Sequence, residues 1–314
     1  MSERWSAKGG RAYPARRGDP PGMEFFAGPA AAAGSARFTL ALDDLAIELH
    51  GLDGPLAAAL AARYGPYAVA PPSGAPSLSV SLSRDPREYF IEPPQGPEFN
   101  PVWIACDGTR IRYLAYTIAG WFDTREGRGQ ILLARGDYEP EIRALENYVR
   151  CAVAWCAAER GGALVHGASA VRNGRAYLFF GESGAGKSTL SAATRRARVV
   201  SDDLTLVLPA SGGGLDVVGS PFRGTYKGGD PVSGRFPLAA AFRIVKAREA
   251  SVEPAARAVV FGQLVGNLTF VAEAFATRPD LFASMERAFQ PVPLAHLRFR
   301  KDDSYWEAID AAGL

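Results

Sequence analysis

The chain has 314 residues, 47% of them hydrophobic, and its 35 lysines and arginines nearly balance its 33 acidic residues. This apolar content suffices for two domains with buried cores and excludes a chain that is disordered throughout. The formal net charge of +2 creates no global field that would attract nucleic acid or an anionic membrane. We therefore expect a globular protein whose charged chemistry is local, with neither nucleic acid nor a membrane as a partner.

The N-terminal segment, residues 1–22, combines arginines with glycine and proline but lacks the apolar core of a secretion signal. It is expected to be a flexible leader, and Met23, which opens the first apolar run, is a second candidate for the start of translation. The cysteines at 106, 151 and 156 do not form an even set, which favours small buried hydrophobes in a reducing cytosol over a disulfide or metal site. A cytoplasmic location follows.

Residues 23–137 alternate short apolar runs with turns rich in proline, glycine and aspartate, a pattern typical of strands. Strands are predicted at 38–42, 46–49, 78–82, 102–105, 111–116 and 130–134, with one helix at 55–64. This is the pattern of a smaller α+β domain dominated by antiparallel strands, and it contains no catalytic constellation. His50, at a strand end, is interpreted as a surface or capping residue.

The second domain, residues 138–314, is predicted to begin with an amphipathic helix from Tyr138 to Glu159. Extended runs at 163–171 and 175–180 follow, and Asn173-Gly174 joins them. Such a pair favours a type I′ hairpin turn, because both central residues of that turn need positive φ. The second run therefore has an antiparallel partner, which predicts a mixed sheet.

After residue 180, predicted helices are interspersed with predicted strands. Helices are predicted at 187–196, 255–275, 279–289 and from 304 onward, and strands at 198–201, 204–208, 215–218, 238–245 and 294–300.

The segment from Gly181 to Thr189 reads GESGAGKST and matches the phosphate-loop pattern GxxxxGK[ST]. It follows a predicted strand and opens a predicted helix, as this motif requires, which disfavours a glycine-rich turn that matches by chance. Its glycines let the backbone point N–H groups at phosphate oxygens. The residues predicted to bind ATP are Gly181, Ser183, Gly184, Ala185, Gly186, Lys187, Ser188 and Thr189.

Within this loop, Lys187 is predicted to reach the β- and γ-phosphates and Ser188 to bind Mg²⁺. Asp202 and Asp203 close the apolar run that ends at Ser201. Two adjacent carboxylates can have different roles. We expect Asp202 to bind Mg²⁺ and Asp203 to accept a proton from an attacking hydroxyl. The alternative is a polar turn between two strands.

Two further positions are candidates for catalytic residues. His166 ends a predicted strand beside the phosphate-loop strand, although a lone histidine is more often structural. Arg223 and Lys227 lie in the segment GSPFRGTYKGG, where either cation can neutralise charge on a transferring phosphoryl group. A solvated surface loop is an equal alternative for that segment.

Together, His166-Gly167, the hairpin, GESGAGKST and Ser201-Asp202-Asp203 resemble the C-terminal domain of HPr kinase/phosphorylase, which is related in fold to phosphoenolpyruvate carboxykinase. The resemblance covers about residues 161–314. It implies a mixed-sheet kinase core and a homo-oligomer. It also implies active-site roles for His166, Lys187, Ser188 and the two aspartates.

The chain departs from that family at the glutamate-containing signature, where only Arg223-Gly224 is retained. It is therefore more similar to HPr-kinase-related proteins of bacterial peptide-modification clusters than to kinases of HPr. The function predicted is ATP- and Mg²⁺-dependent transfer of the γ-phosphoryl group to a hydroxyl, in particular a serine of a protein or peptide.

Other nucleotide-binding classes fit less well. An ABC-type ATPase needs a signature segment that the chain lacks, an adenylate-kinase type places its loop near the N-terminus, and phosphoenolpyruvate carboxykinase is much longer. The alternative from a different class is a nucleotide-sensing regulatory module without transferase activity, which the absent glutamate favours.

Overall fold

A computed structural model describes residues 22–26, 31–68, 76–94, 102–224, 226 and 228–314. Within these ranges the chain forms two compact units, of which the first ends at Cys156 and the second runs from Ala157 to Leu314. The division lies inside a helix, whereas the sequence places a domain boundary before that helix. The predicted leader lies outside the described residues, except for its last position. No helix in the described ranges is both long and apolar enough to cross a membrane.

The first unit is built on one mixed sheet. Its elements are β1 (Ala31–Ala32), β2 (Ala36–Leu42), β3 (Leu45–Leu52), α1 (Gly54–Tyr64), β4 (Leu78–Arg84), β5 (Trp103–Asp107), β6 (Arg110–Leu114), β7 (Ile118–Asp123) and β8 (Arg128–Leu133). The strand order is β2-β3-β4-β8-β7-β6-β5, with β1 beside β4. Only the β3–β4 and β4–β8 pairs are parallel. The predicted dominance of antiparallel pairs is therefore confirmed, although β7 was not predicted.

Local chemistry explains where α1 begins. Asp53 accepts a hydrogen bond from the backbone N–H of Leu56 at 2.8 Å and so satisfies an N–H that the first turn leaves unpaired. Pro55 occupies the first turn, where its missing N–H costs nothing. His50, on β3, lies 2.5 Å from the Ser79 hydroxyl through Nε2, in a polar pair between neighbouring strands.

The long helix α2 (Glu141–Glu159) leads into the second unit. The further elements are β9 (Ala163–Arg172), β10 (Arg175–Phe180), α3 (Lys187–Ala193), β11 (Arg198–Ser201), β12 (Leu204–Pro209), β13 (Leu215–Val218), β14 (Arg235–Lys246), β15 (Ser251–Glu253), α4 (Arg257–Val265), α5 (Pro279–Phe289), β16 (Leu294–Phe299) and α6 (Tyr305–Ala311).

The sheet of the second unit closes on itself. Its strands run β10-β9-β12-β13-β14-β16-β15, and an additional pairing of β10 with β14 joins the first five into a small barrel. β10 is antiparallel to β9 but parallel to β14, which is itself parallel to β16. The chain is thus a mixed α/β protein with mixed sheets. Aromatic side chains fill part of the core beside the barrel, where Phe179 and Trp306 meet edge to face at 6.0 Å.

The hairpin prediction is confirmed. Asn173 and Gly174 have φ of 52° and 75°, and Arg172 pairs with Arg175 directly across the turn. This register continues to the far end of the hairpin, where Gly167 faces Phe180. A turn of two residues therefore determines which residues of β9 lie next to the phosphate loop.

The prediction of one helix over 255–275 is wrong. α4 ends at Val265, and a short 3-10 helix covers Ala272–Ala276. Between them the chain pairs with β9, because the Asn267 carbonyl accepts from the His166 N–H at 2.7 Å and the Thr269 N–H donates to the Leu164 carbonyl at 3.2 Å. Hydrogen bonds between segments distant in sequence thus override the apolar periodicity of this stretch.

Candidate nucleotide-binding site

Strand register brings the predicted site residues to one end of the barrel. β10 ends at Phe180, immediately before the phosphate loop of residues 181–189, and Phe180 pairs with Gly167 of β9. His166, the preceding residue, pairs with Leu204 at the start of β12. The Gly167 N–H also donates to the Asp203 carbonyl at 2.9 Å. The phosphate loop, His166 and Asp203 are therefore neighbours.

The phosphate loop has the backbone form of an anion-binding nest. Gly184 and Gly186 have φ of 77° and 108°, in a region that residues with a Cβ rarely adopt. The N–H groups of Ser183, Gly184 and Gly186 donate to no acceptor in the described part of the chain, whereas the Ala185 N–H bonds to the Glu182 carbonyl at 3.0 Å. Free N–H groups on a curled backbone are what phosphate oxygens require.

Lys187 is buried, with 7% of its surface exposed, and it points back into this loop. Its Nζ donates to the carbonyls of Gly181 at 2.8 Å and Glu182 at 3.2 Å. Burial lowers the pKa of Lys187 from 10.5 to about 8, the nearby Asp203 carboxylate acts in the opposite direction, and the Arg243 guanidinium lowers the pKa further. A desolvated ammonium group against a cradle of N–H groups suits a highly charged anion.

His166 and Asp203 face each other across this end of the barrel. His166 Nε2 lies 3.6 Å from Asp203 Oδ1, and the Asp203 side chain is 32% exposed while that of His166 is 11% exposed. Burial and the charge of Lys187 lower the pKa of His166 to about 4. The imidazole is therefore neutral at neutral pH, so its contact with Asp203 is polar and not an ion pair.

Asp202 has different surroundings from Asp203. It is 2% exposed, and its two carboxylate oxygens accept the backbone N–H groups of Gly224 at 2.8 Å and Tyr226 at 2.9 Å. These donors belong to residues 219–224, 226 and 228–234, here called the Arg223 loop. Asp202 therefore fastens this loop to the end of β11, a role that the sequence did not indicate.

Arg223 also stabilises the loop that carries it. Its guanidinium donates to the carbonyls of Gly229 at 3.1 Å, Gly228 at 3.2 Å and Val199 at 3.4 Å. These bonds place the charge among backbone carbonyls of the loop and of β11, so its predicted role at a phosphoryl group stays a prediction. Lys227, the other predicted cation, lies outside the described residues.

Sequence reasoning missed one basic residue of the site. Arg243 on β14 pairs with Phe180, the residue before the phosphate loop, and its Nη2 lies 3.7 Å from Oε1 of Glu182 inside that loop. It also contributes to the lowered pKa of Lys187. No motif marks Arg243, because only the parallel β10–β14 pairing brings it to the loop.

The site offers few protein ligands for a metal. Among the described residues no group of three or more His, Cys, Asp or Glu side chains is arranged to hold one. The Ser188 hydroxyl is exposed and makes no hydrogen bond within the described ranges. Such a small number of protein ligands is compatible with Mg²⁺, because this ion usually keeps several waters and binds through substrate phosphates and one or two protein groups.

These features define a mixed α/β protein with a small closed barrel and a phosphate-loop motif at the end of one barrel strand. A family model described as SynChlorMet cassette protein ScmC matches residues 137–312. Since the match covers more than half of the chain, the chain belongs to this family. No curated protein matches the chain.

Proposed function

We propose that this chain is an ATP- and Mg²⁺-dependent kinase that transfers the γ-phosphoryl group to a serine hydroxyl of a protein or peptide. The proposal includes a core of the HPr kinase and phosphoenolpyruvate carboxykinase type. The observation that carries it is the convergence of Lys187, Asp203 and neutral His166 at a phosphate loop in which three N–H groups, those of Ser183, Gly184 and Gly186, donate to no acceptor in the described part of the chain. A nucleotide cradle and a proton acceptor thus share one end of the barrel.

Each residue has a physical role in this reaction. The N–H groups of the phosphate loop and the Lys187 ammonium group bind the β- and γ-phosphates. Asp203, which is partly exposed, accepts the proton of the serine hydroxyl as that oxygen attacks the γ-phosphorus. The bond from the γ-phosphorus to its bridging oxygen breaks, and ADP leaves with the electron pair. His166 orients the Asp203 carboxylate by a polar contact from its buried position.

Mg²⁺ fits this site as a partner of the nucleotide. Ser188 through its free hydroxyl and Asp202 through its remaining lone pairs are the residues that would hold it. When bound, the ion supplies positive charge to the phosphate oxygens during transfer. Asp202 then has two functions, since it also positions the Arg223 loop.

The acceptor is the part of the proposal that the site constrains least. The family description names a cassette protein, which makes a peptide encoded beside the gene the first acceptor to test. HPr is disfavoured because the sequence GSPFRGTYKGG replaces the glutamate-containing signature of its kinases.

The test is incubation of the full chain with γ-labelled ATP, Mg²⁺ and that peptide, followed by mass spectrometry of the acceptor. We expect a phosphoserine with wild-type protein and none with Lys187→Met, which removes the ammonium group from the cradle. The variant also loses affinity for a fluorescent ATP analogue. Equal phosphorylation by the two proteins would contradict the proposal.

A nucleotide-sensing module without transfer is the second candidate. It is favoured by the absence of a three-residue metal-ligating cluster among the described residues. The same experiment separates the two functions. ATP binding that depends on Lys187, without labelling of any acceptor, would support the sensor.

A further inference from the structure

A second basic site lies in the same unit, at the hairpin end of β9 and at the start of β11. It is an open cavity of about 430 Å³. Four of its lining residues are arginines, and Val199 and Tyr226 lie beside them. The arginines are Arg172, Arg195, Arg196 and Arg198.

The charges around this arginine cavity are only half compensated. Arg172 pairs with Asp310, and Arg196 Nε lies 3.3 Å from Asp303 Oδ2. Arg195 and Arg198 are exposed, and neither guanidinium has a carboxylate partner within the described ranges. The Arg198 guanidinium lies over the Phe236 ring, 5.7 Å from its centroid. The cavity therefore presents two uncompensated positive charges to a ligand.

One wall of the cavity is held firmly in place. The guanidinium of Arg172 lies 4.4 Å from the centroid of the Trp306 ring, and its side chain is only 11% exposed. Trp306 is fully buried in the core of the unit. Arg172, which stacks on this ring and pairs with Asp310, therefore forms a rigid wall beside Arg195 and Arg198.

The cavity and the site of transfer are connected by a single strand. Val199 lines the cavity, and β11 continues from it to Ser201, directly before Asp202 and Asp203. The four steps from Val199 to Asp203, of which the last two lie beyond the strand, span at most about 13 Å. An extended peptide with its serine at Asp203 therefore reaches the cavity with a residue roughly four positions from that serine. The Arg223 loop borders both places, because Tyr226 bonds to Asp202 and lines the cavity.

We propose that the arginine cavity binds acidic side chains of the peptide substrate, about four residues from the acceptor serine. This inference rests on the proposed function for the position of the serine, whereas the binding of an acidic segment does not depend on catalysis. Guanidinium groups recognise carboxylates through paired N–H donors, and the surplus charge of the cavity selects an acidic partner. A nucleic-acid ligand is disfavoured because the chain has a formal charge of only +2.

The experiment uses fluorescein-labelled synthetic peptides that carry one serine and a run of glutamates at that spacing. A counterpart has glutamines in place of the glutamates. Binding to the full chain is measured by fluorescence anisotropy at low ionic strength. We expect the glutamate peptide to bind roughly five- to tenfold tighter, as two exposed ion pairs allow, and the difference to vanish in Arg195→Ala/Arg198→Ala.

Arg287→Ala is the matched control, since Arg287 is an exposed arginine of α5 that does not line the cavity. It should bind like wild type, and Arg195→Lys/Arg198→Lys should retain part of the preference. Equal affinity for the two peptides, a preference that survives the double alanine variant, or equally tight binding of a single-stranded oligonucleotide would overturn the inference. A glutamate preference without phosphoserine would retain the docking site and refute the kinase.

Discussion

Two loops meet at the same end of the barrel and are built by opposite means. The phosphate loop is shaped by glycine backbone and leaves the N–H groups of Ser183, Gly184 and Gly186 free. The Arg223 loop is held by side chains, because Asp202 accepts two of its N–H groups and Arg223 donates to its carbonyls. The first loop thus leaves backbone donors unpaired, whereas the second is held by its own hydrogen bonds and by Asp202.

This difference separates two adjacent aspartates. The Asp202 carboxylate is buried and already hydrogen-bonded, while Asp203 is partly exposed beside His166. Successive side chains at a strand end point in different directions, so two identical carboxylates there have different surroundings. We infer that Asp202 mainly positions the loop and that Asp203 is the catalytic carboxylate.

The strongest test of that division is Asp203→Asn. Loss of the proton acceptor should lower phosphoryl transfer by about 10²- to 10⁴-fold, the usual contribution of a general base. Nucleotide affinity and thermal unfolding should stay close to wild type, because the side chain is partly exposed. Steady-state kinetics and calorimetry measure both. The control is Asp230→Asn, because Asp230 is an exposed residue of the Arg223 loop. Normal phosphoryl transfer by Asp203→Asn would show that Asp203 is not the proton acceptor.

The backbone donors of the phosphate loop are tested by Gly186→Ala. A Cβ at this position would lie 2.7 Å from Cζ of the buried Phe299, and the φ of 108° is itself unfavourable for alanine. We expect nucleotide affinity to fall by roughly 10- to 100-fold as the N–H groups move, since each charged hydrogen bond contributes about 1.5–3 kcal/mol. Gly174→Ala shares a positive φ but meets open space, so it should lose stability without losing affinity. Isothermal titration calorimetry with ATP measures the affinity of both variants, and an unchanged affinity of Gly186→Ala would contradict the prediction.

The hydrogen bonding of the Arg223 loop is tested by Asp202→Asn. The amide can accept only one of the two N–H groups and presents its own NH₂ to the other, which should cost about 1–3 kcal/mol of unfolding free energy. Chemical denaturation measures this loss, with Asp203→Asn as the neighbouring comparison. A variant as stable as wild type would show that Asp202 does not fasten the Arg223 loop.

The smallest effect concerns pH. The pKa of His166 is about 4 in the folded chain and 6.5 as a free residue, so the unfolded chain binds the extra proton between these values. The stability contributed by the neutral imidazole is complete above pH 6.5 and is lost as the pH falls towards 4, about 2 kcal/mol of it by pH 5. His166→Gln should flatten the difference in unfolding free energy between pH 7 and 5 by that amount. An equal pH dependence of the unfolding free energy in wild type and His166→Gln would show that the imidazole is exposed to solvent and would contradict its lowered pKa.

Sequence reasoning succeeded where short-range rules apply. The Asn173-Gly174 turn, the strand before Gly181 and the glycines at positive φ all follow from the preferences of neighbouring residues. It failed over 255–275, where Asn267 and Thr269 bond to β9 and break the predicted helix. It also missed Arg243, because the parallel neighbour of a strand is not encoded near that strand.

By itself, the sequence determined a mixed α/β chain with a phosphate-loop motif, a hairpin beside it and two carboxylates after a buried strand. These features depend on backbone preferences within a few residues. Only the tertiary structure decided that β10 and β14 close a barrel, that Asp202 faces the Arg223 loop while Asp203 faces His166, and that the pKa of Lys187 is lowered. The physical reason is that burial, charge and strand pairing are set by residues far apart in the chain.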